Sequence, residues 1–142
     1  MKYLSIPLIL VLAACGGEDD SSSPATLADL VGVWDGSETV EQKRDELYTV
    51  IQQSGDFVSY DYMGDSADNG ENCYEKSNGA NITDQGGGEF IISSQFAADE
   101  TVTITVSGNS MSLFGYNDEG AYRDNALKSN LLESDFTPLC VE

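Results

Sequence analysis

The chain has 142 residues, 25 acidic against 6 basic, a formal net charge of −19 and no histidine. That length builds one hydrophobic core and not two. So acidic a surface repels nucleic acid and the anionic face of a bilayer and suits basic partners or simple solubility, while the lack of histidine removes Ser-His-acid and Cys-His catalysis and histidine metal ligation.

The N-terminus carries a basic tip, Met1-Lys2-Tyr3, then an apolar run from Leu4 to Ala14, then an abrupt polar change at Gly16-Gly17-Glu18-Asp19-Asp20. A positive tip, a short apolar core and small residues before a cut make residues 1–14 a secretory signal. The run falls well short of the roughly 20 residues a spanning helix needs. Leu12-Ala13-Ala14-Cys15 resembles the lipobox of bacterial lipoproteins. The resemblance implies cleavage before Cys15 and acyl chains on its sulfur and new amino group. It also implies a cell-envelope location, with Gly16 rather than aspartate pointing to an outer-membrane address that faces the periplasm or the cell surface. An ordinary cleaved signal with an incidental cysteine is the alternative. With Cys15 lipidated, Cys73 and Cys140 remain as one even pair in an oxidising compartment, where a disulfide is favoured over two thiols.

Residues 15–25 read as a lipidated tether of glycine, serine, acid and one proline, flexible and with nothing to bury. The domain proper spans 26–142. Thr26 is a capping residue ahead of Leu27, Leu30 and Val31 at helical spacing, so one turn of helix is expected there as a lid.

From this point the period switches to two. Residues 31–40 make a first strand. Glu46 to Tyr62 holds two alternating runs about Ser54-Gly55. Taken as a two-residue loop, that dipeptide pairs Ile51 with Val58, Thr49 with Tyr60 and Leu47 with Tyr62. Leu47, Ile51, Val58, Tyr60 and Tyr62 then share the interior face, and Tyr48, Val50, Phe57 and Ser59 the other. Residues 73–83 make a fourth strand interrupted at Asn78-Gly79, and Glu89 to Phe96 a fifth, with Phe90, Ile92 and Phe96 on one face. Thr101 to Ser107 alternates strictly in strand-forming residues. Its turn at Gly108-Asn109 sets Val106 opposite Met111 and Ile104 opposite Leu113, a buried quartet. Ala121 to Lys128 pairs back after the turn at Asn117 to Gly120. Eight strands with short connections and no long helix describe an all-β, eight-stranded up-and-down antiparallel barrel, which removes exposed edges.

Gly32-Val33-Trp34, following the helical turn and opening the first strand, resembles the Gly-x-Trp signature of lipocalins and other calycins. The resemblance implies that Trp34 closes the barrel base, with Gly32 beside it and a basic residue of the last strand over its ring. Lys128 fits that place, with Arg123 as the alternative. The family commonly ties its C-terminal tail to the fourth strand by a disulfide, which matches Cys73 and Cys140. The domain is shorter than most lipocalins and lacks their long helix. It is closer to the small lipocalin-like domains of bacterial lipoproteins.

Catalytic signals are missing. There is no Gly-x-Ser-x-Gly, phosphate-binding glycine loop or paired-cysteine zinc spacing. Asp65 to Glu71 fails the calcium-loop pattern, with Ala67 at its third place and Lys76 at its twelfth. The expectation is therefore a monomeric non-enzyme without metal or cofactor. Its ligand cup would be built from Tyr60, Tyr62, Ile51, Val58 and Ile104, and it would bind a small apolar ligand or a partner. The alternative is an acidic protein-binding module, such as an inhibitor of a basic envelope-directed enzyme. Strand direction places an acidic rim at the open end, including Glu41, Asp45, Asp65, Asp68, Glu71, Asp99, Glu100, Asp118 and Glu119.

Overall fold

The computed structural model describes residues 23–37, 47–64 and 72–141. The signal, Cys15, the first part of the tether and the links 38–46 and 65–71 lie outside the described residues, and with them Glu41, Asp45, Asp65, Asp68 and Glu71 of the rim. Among the described residues ten strands form: β1 Ser23–Pro24, β2 Gly32–Asp35, β3 Leu47–Ile51, β4 Asp56–Tyr62, β5 Tyr74–Lys76, β6 Ala80–Gly86, β7 Glu89–Ser94, β8 Ala97–Ser107, β9 Ser110–Asn117 and β10 Gly120–Ser129. One helical turn, α1 Leu27–Leu30, precedes β2. Strands β2, β3, β4, β6, β7, β8, β9 and β10 follow one another around the sheet, and β10 pairs back onto β2 to close an eight-stranded antiparallel barrel. β5 continues the fourth position beyond a break at residues 77–79, both pieces pairing with β4.

The β8–β9 hairpin has the expected register, with Ile104 opposite Leu113 and Val106 opposite Met111 across the Gly108-Asn109 turn. The β3–β4 hairpin does not. Val50 pairs with Val58, Ile51 with Phe57, Thr49 with Ser59 and Tyr48 with Tyr60. The loop has three residues rather than two, because the Gln52 amide donates to the Asp56 carbonyl and the Gly55 amide to the Gln52 carbonyl. Gly55 closes it at φ +86, and a Cβ there would stand 2.3 Å from the Ile82 carbonyl oxygen, so the left-handed residue has to be glycine. One residue of slip exchanges the two faces of a strand. Val58, Tyr60 and Tyr62 therefore face outward, while Phe57 and Ser59 face inward.

Three smaller boundaries move as well. Ser23 and Pro24 pair with Val106 and Thr105, and Ala25 is buried, so the end of the tether belongs to the barrel. β8 begins at Ala97, which places Glu100 within a strand opposite Ile92 instead of in a link. Phe96 sits in the β7–β8 turn, 66% exposed, and does not share the inward face of Phe90 and Ile92.

Two apolar clusters result. Inside the barrel, Leu30, Trp34, Ile51, Ile82, Phe90, Val102, Ile104 and Ala126 pack together. Outside it, Val33, Tyr48, Val50 and Tyr60 pack under Phe136, which stacks 4.8 Å from Tyr60 and lies 5.0 Å from Tyr48 between ring centroids. The tail is fastened over this outer cluster by the Cys73–Cys140 disulfide, by the Tyr74 amide donating to Pro138 and by the Cys140 amide donating to Tyr74. Outward tyrosines are compatible with a stable wall here because the tail shields them and gives the Tyr60 hydroxyl a partner, Glu133 Oε1 at 2.7 Å.

Candidate functional site: an apolar cup inside the barrel

Each barrel strand sends alternate side chains inward. At one end those side chains close the barrel. Trp34 is 1% exposed and donates its indole N–H to the Leu30 carbonyl at 2.7 Å, which fixes the ring against α1. The turn itself is held by Asp29, whose carboxylate accepts from both the amide and the hydroxyl of Thr26; these bonds hold the carboxyl below its ordinary range. Asp84 of β6 accepts from the Leu27 amide and ties the turn to the barrel wall. Lys128 of β10, opposite Trp34 in register, places its ammonium 4.5 Å from the centroid of the Trp34 ring and donates to the Val31 carbonyl. Arg123 lies instead on the outer wall, over Phe114. Gly32 leaves room for the lysine stem, since a Cβ there would meet its Nζ at 2.8 Å.

Away from this plug the interior is hollow. A cavity of about 270 Å³ is walled by Trp34, Leu47, Thr49, Ile51, Phe57, Ile82, Ile92, Ile104, Met111 and Leu113, with Gly36 and residues 124–126 of β10 at its side. Of the expected cup residues, the structure brings Ile51 and Ile104 to this wall. Val58, Tyr60 and Tyr62 are outside the barrel: Tyr62 donates to the Asn72 side chain and packs on Tyr74, and Tyr60 lies beneath the tail. The residues that replace them follow from the slip, since moving β4 by one position brings Phe57 and Ser59 inward. The Thr49 and Ser59 hydroxyls hydrogen-bond each other at 3.1 Å on that face. Met111 and Leu113 were legible as inward from the β8–β9 alternation. Asp124, by contrast, reads from its neighbours as one more solvated acid.

Strand direction puts the start of β8, the start of β10 and the β7–β8 and β9–β10 turns at the end opposite Trp34. This open end holds Asp99, Glu100, Asp118 and Glu119. Glu100 shares the inward face with Ile92, its partner across the ladder. Tyr122 crosses the inner wall above Gly115, where any Cβ would come within 2.7 Å of the phenol ring, and its hydroxyl donates to Glu100. Burial, the Glu100 hydrogen bond and nearby carboxylate charge all raise the Tyr122 phenol well above its ordinary value. Among the described residues no group of three or more metal-ligating side chains converges. No family profile, curated protein or solved structure matches the chain.

Proposed function

We propose that this is a lipid-anchored, lipocalin-like binding protein of the bacterial cell envelope, tethered through Cys15 and holding a small apolar molecule inside its barrel. The supporting observation is the hollow interior: a closed barrel of this strand number is just large enough either to be filled by its own side chains or to hold one small ligand, and here ten apolar or hydroxyl-bearing side chains surround about 270 Å³ of empty space. That volume lies just under the range of roughly 300–1,000 Å³ typical of ligand sites, which suits a single-ring or short-chain molecule better than a long acyl chain. The lipobox, the polar tether and the export signal support the location at the outer membrane, facing the periplasm or the cell surface.

A packed interior behind an acidic surface would favour the protein-binding alternative; an empty apolar interior favours the cup. The deciding experiment uses the isoleucines of the exported chain. Ile51, Ile82, Ile92 and Ile104 line the cavity, while Ile91 pairs with Thr101 on the outward face. Titration with 3-phenylpropanol, followed by methyl NMR, shifts the first four signals and leaves Ile91 in place. Leu113→Phe, which fills the space, removes the response. Uniform shifts or none would refute the cup.

A further inference from the structure

Among the described residues the cup has one charged group on its wall, and that group has no hydrogen-bond or ion-pair partner there. Asp124 lies on the inward face of β10, opposite Leu113, and among the described residues is the only ionisable side chain lining the cavity. Its carboxylate makes no hydrogen bond or ion pair among the described residues. Every described cation is engaged elsewhere. Lys76 pairs with Glu133 at 3.6 Å on the outer face, Arg123 covers Phe114 outside, and Lys128 is held beneath Trp34. One position up the same face of β10, Tyr122 spends its hydroxyl on Glu100. Beside the Thr49–Ser59 hydroxyl pair and Asn125, the described part of the cup therefore offers negative charge and no unengaged cation, while the remainder of its described wall is apolar.

From this we infer that the cup selects a small apolar amine, seating the hydrocarbon part among Ile51, Ile92, Ile104 and Leu113 and its ammonium against Asp124. The inference rests on the cup reading above. An anion in the same place would meet Asp124 unpaired, and a neutral alcohol would gain the apolar contacts and at most a hydrogen bond, without the attraction of opposite charges. Because Asp124 is open to water at the mouth, the charge is worth a modest factor, about two- to fivefold in affinity. Specificity of this kind works as much by excluding carboxylates as by holding amines.

The test compares 3-phenylpropylamine, 3-phenylpropanol and 3-phenylpropanoate by the same isoleucine methyl titration, in low and in moderate salt, on the parent protein and on Asp124→Asn. The side chain is open to water, so the substitution leaves the fold intact, which the unliganded methyl spectrum verifies. The expected order is amine, then alcohol, then carboxylate. Added salt should narrow the spread, and Asp124→Asn should bring amine and alcohol within error of each other while leaving the alcohol's affinity unchanged. Equal binding of amine and alcohol by the parent protein, or an amine preference that survives Asp124→Asn, overturns the inference and leaves the cup standing. If none of the three moves the wall isoleucines, the cup fails and the inference with it.

Discussion

The Lys128 ammonium lies over the face of the Trp34 ring at 4.5 Å, at the seam where β10 closes onto β2. The two residues are 94 positions apart in the chain and adjacent in the barrel, so their contact forms only when the ring of strands is complete. Trp34→Ala should cost about 3–5 kcal/mol through the cavity it opens under α1. Lys128→Met keeps the stem against Gly32 and removes the charge. It loses a cation–π contact of about 0.5–2 kcal/mol, but also the desolvation that lowers the lysine's pKa, so its cost should be clearly smaller than that of Trp34→Ala. Urea unfolding of both variants checks the order. A native Trp34 emission typical of water-exposed indole would contradict the closed base.

The tail is the second element whose loss should be felt. The disulfide joins Cys73 and Cys140 across a separation of 67 residues, for which chain entropy gives about 4 kcal/mol. Phe136, 2% exposed, supplies the packing that the bond holds in place. Phe136→Ala should cost about 3–5 kcal/mol, and the two losses should fall short of additive because both release the same segment. Reduction should raise tyrosine exposure at Tyr48 and Tyr60 while the cup isoleucines keep their methyl positions. Equal disturbance of the inner wall on reduction would show that the tail and the barrel are one cooperative unit.

Strand count, order and closure were legible because Thr101 to Ser107 and its partner announce their period plainly, and because Gly32-Val33-Trp34 marks where the ring begins. Ile104, Trp34 and Lys128 were placed for the same reasons. The β3–β4 faces were not legible. Each face of that hairpin carries aromatic and β-branched residues, since one packs on the cup and the other on the tail, and so composition cannot say which is inside. The register then hangs on the loop. Ser54-Gly55 reads equally as a two-residue turn or as the end of a three-residue one, and the deciding contact, Gly55 against the backbone of Ile82, is 27 positions away. Tyr60 and Tyr62 were misplaced by that single residue. The partner that makes an outward Tyr60 tolerable, Phe136, sits in a stretch with no strand pattern at all.

Cys15 should be the sole attachment to the membrane. One acyl chain gives marginal binding, at about 0.8 kcal/mol per buried methylene, and two or more hold stably. Cys15→Ala should release the domain in soluble form with its ligand response unchanged, because the described residues of the cup and the barrel all lie from Ser23 onward. Fractionation checks this: recovery of the Cys15→Ala protein with the membranes would rule out lipid anchoring at that residue.

Above pH 10 the mouth of the cup should report on stability. Tyr122 ionises well above the usual value of about 10 in the fold, because burial and the bond to Glu100 favour its neutral form. The unfolded chain, by contrast, releases that proton near 10. Between those two points the folded state holds more protons than the unfolded one, so stability falls as pH rises, and the contribution of the Tyr122–Glu100 bond is fully present only below about pH 10. Lys128 acts in the opposite sense, since its lowered pKa lets the fold release a proton that the unfolded chain still holds. The tyrosine term therefore has to be read by difference. Tyr122→Phe should be less stable than the parent at pH 8, and the gap should close steadily between pH 10 and 11. Tyr60→Phe should show a weaker version of the same trend, because Lys76 beside the Tyr60 phenol partly offsets its burial and the Glu133 bond. Urea unfolding across that range measures both. A gap between Tyr122→Phe and the parent that stays constant from pH 8 to 11 would mean that the phenol is not held neutral by Glu100, and that the polar side of the mouth is arranged differently.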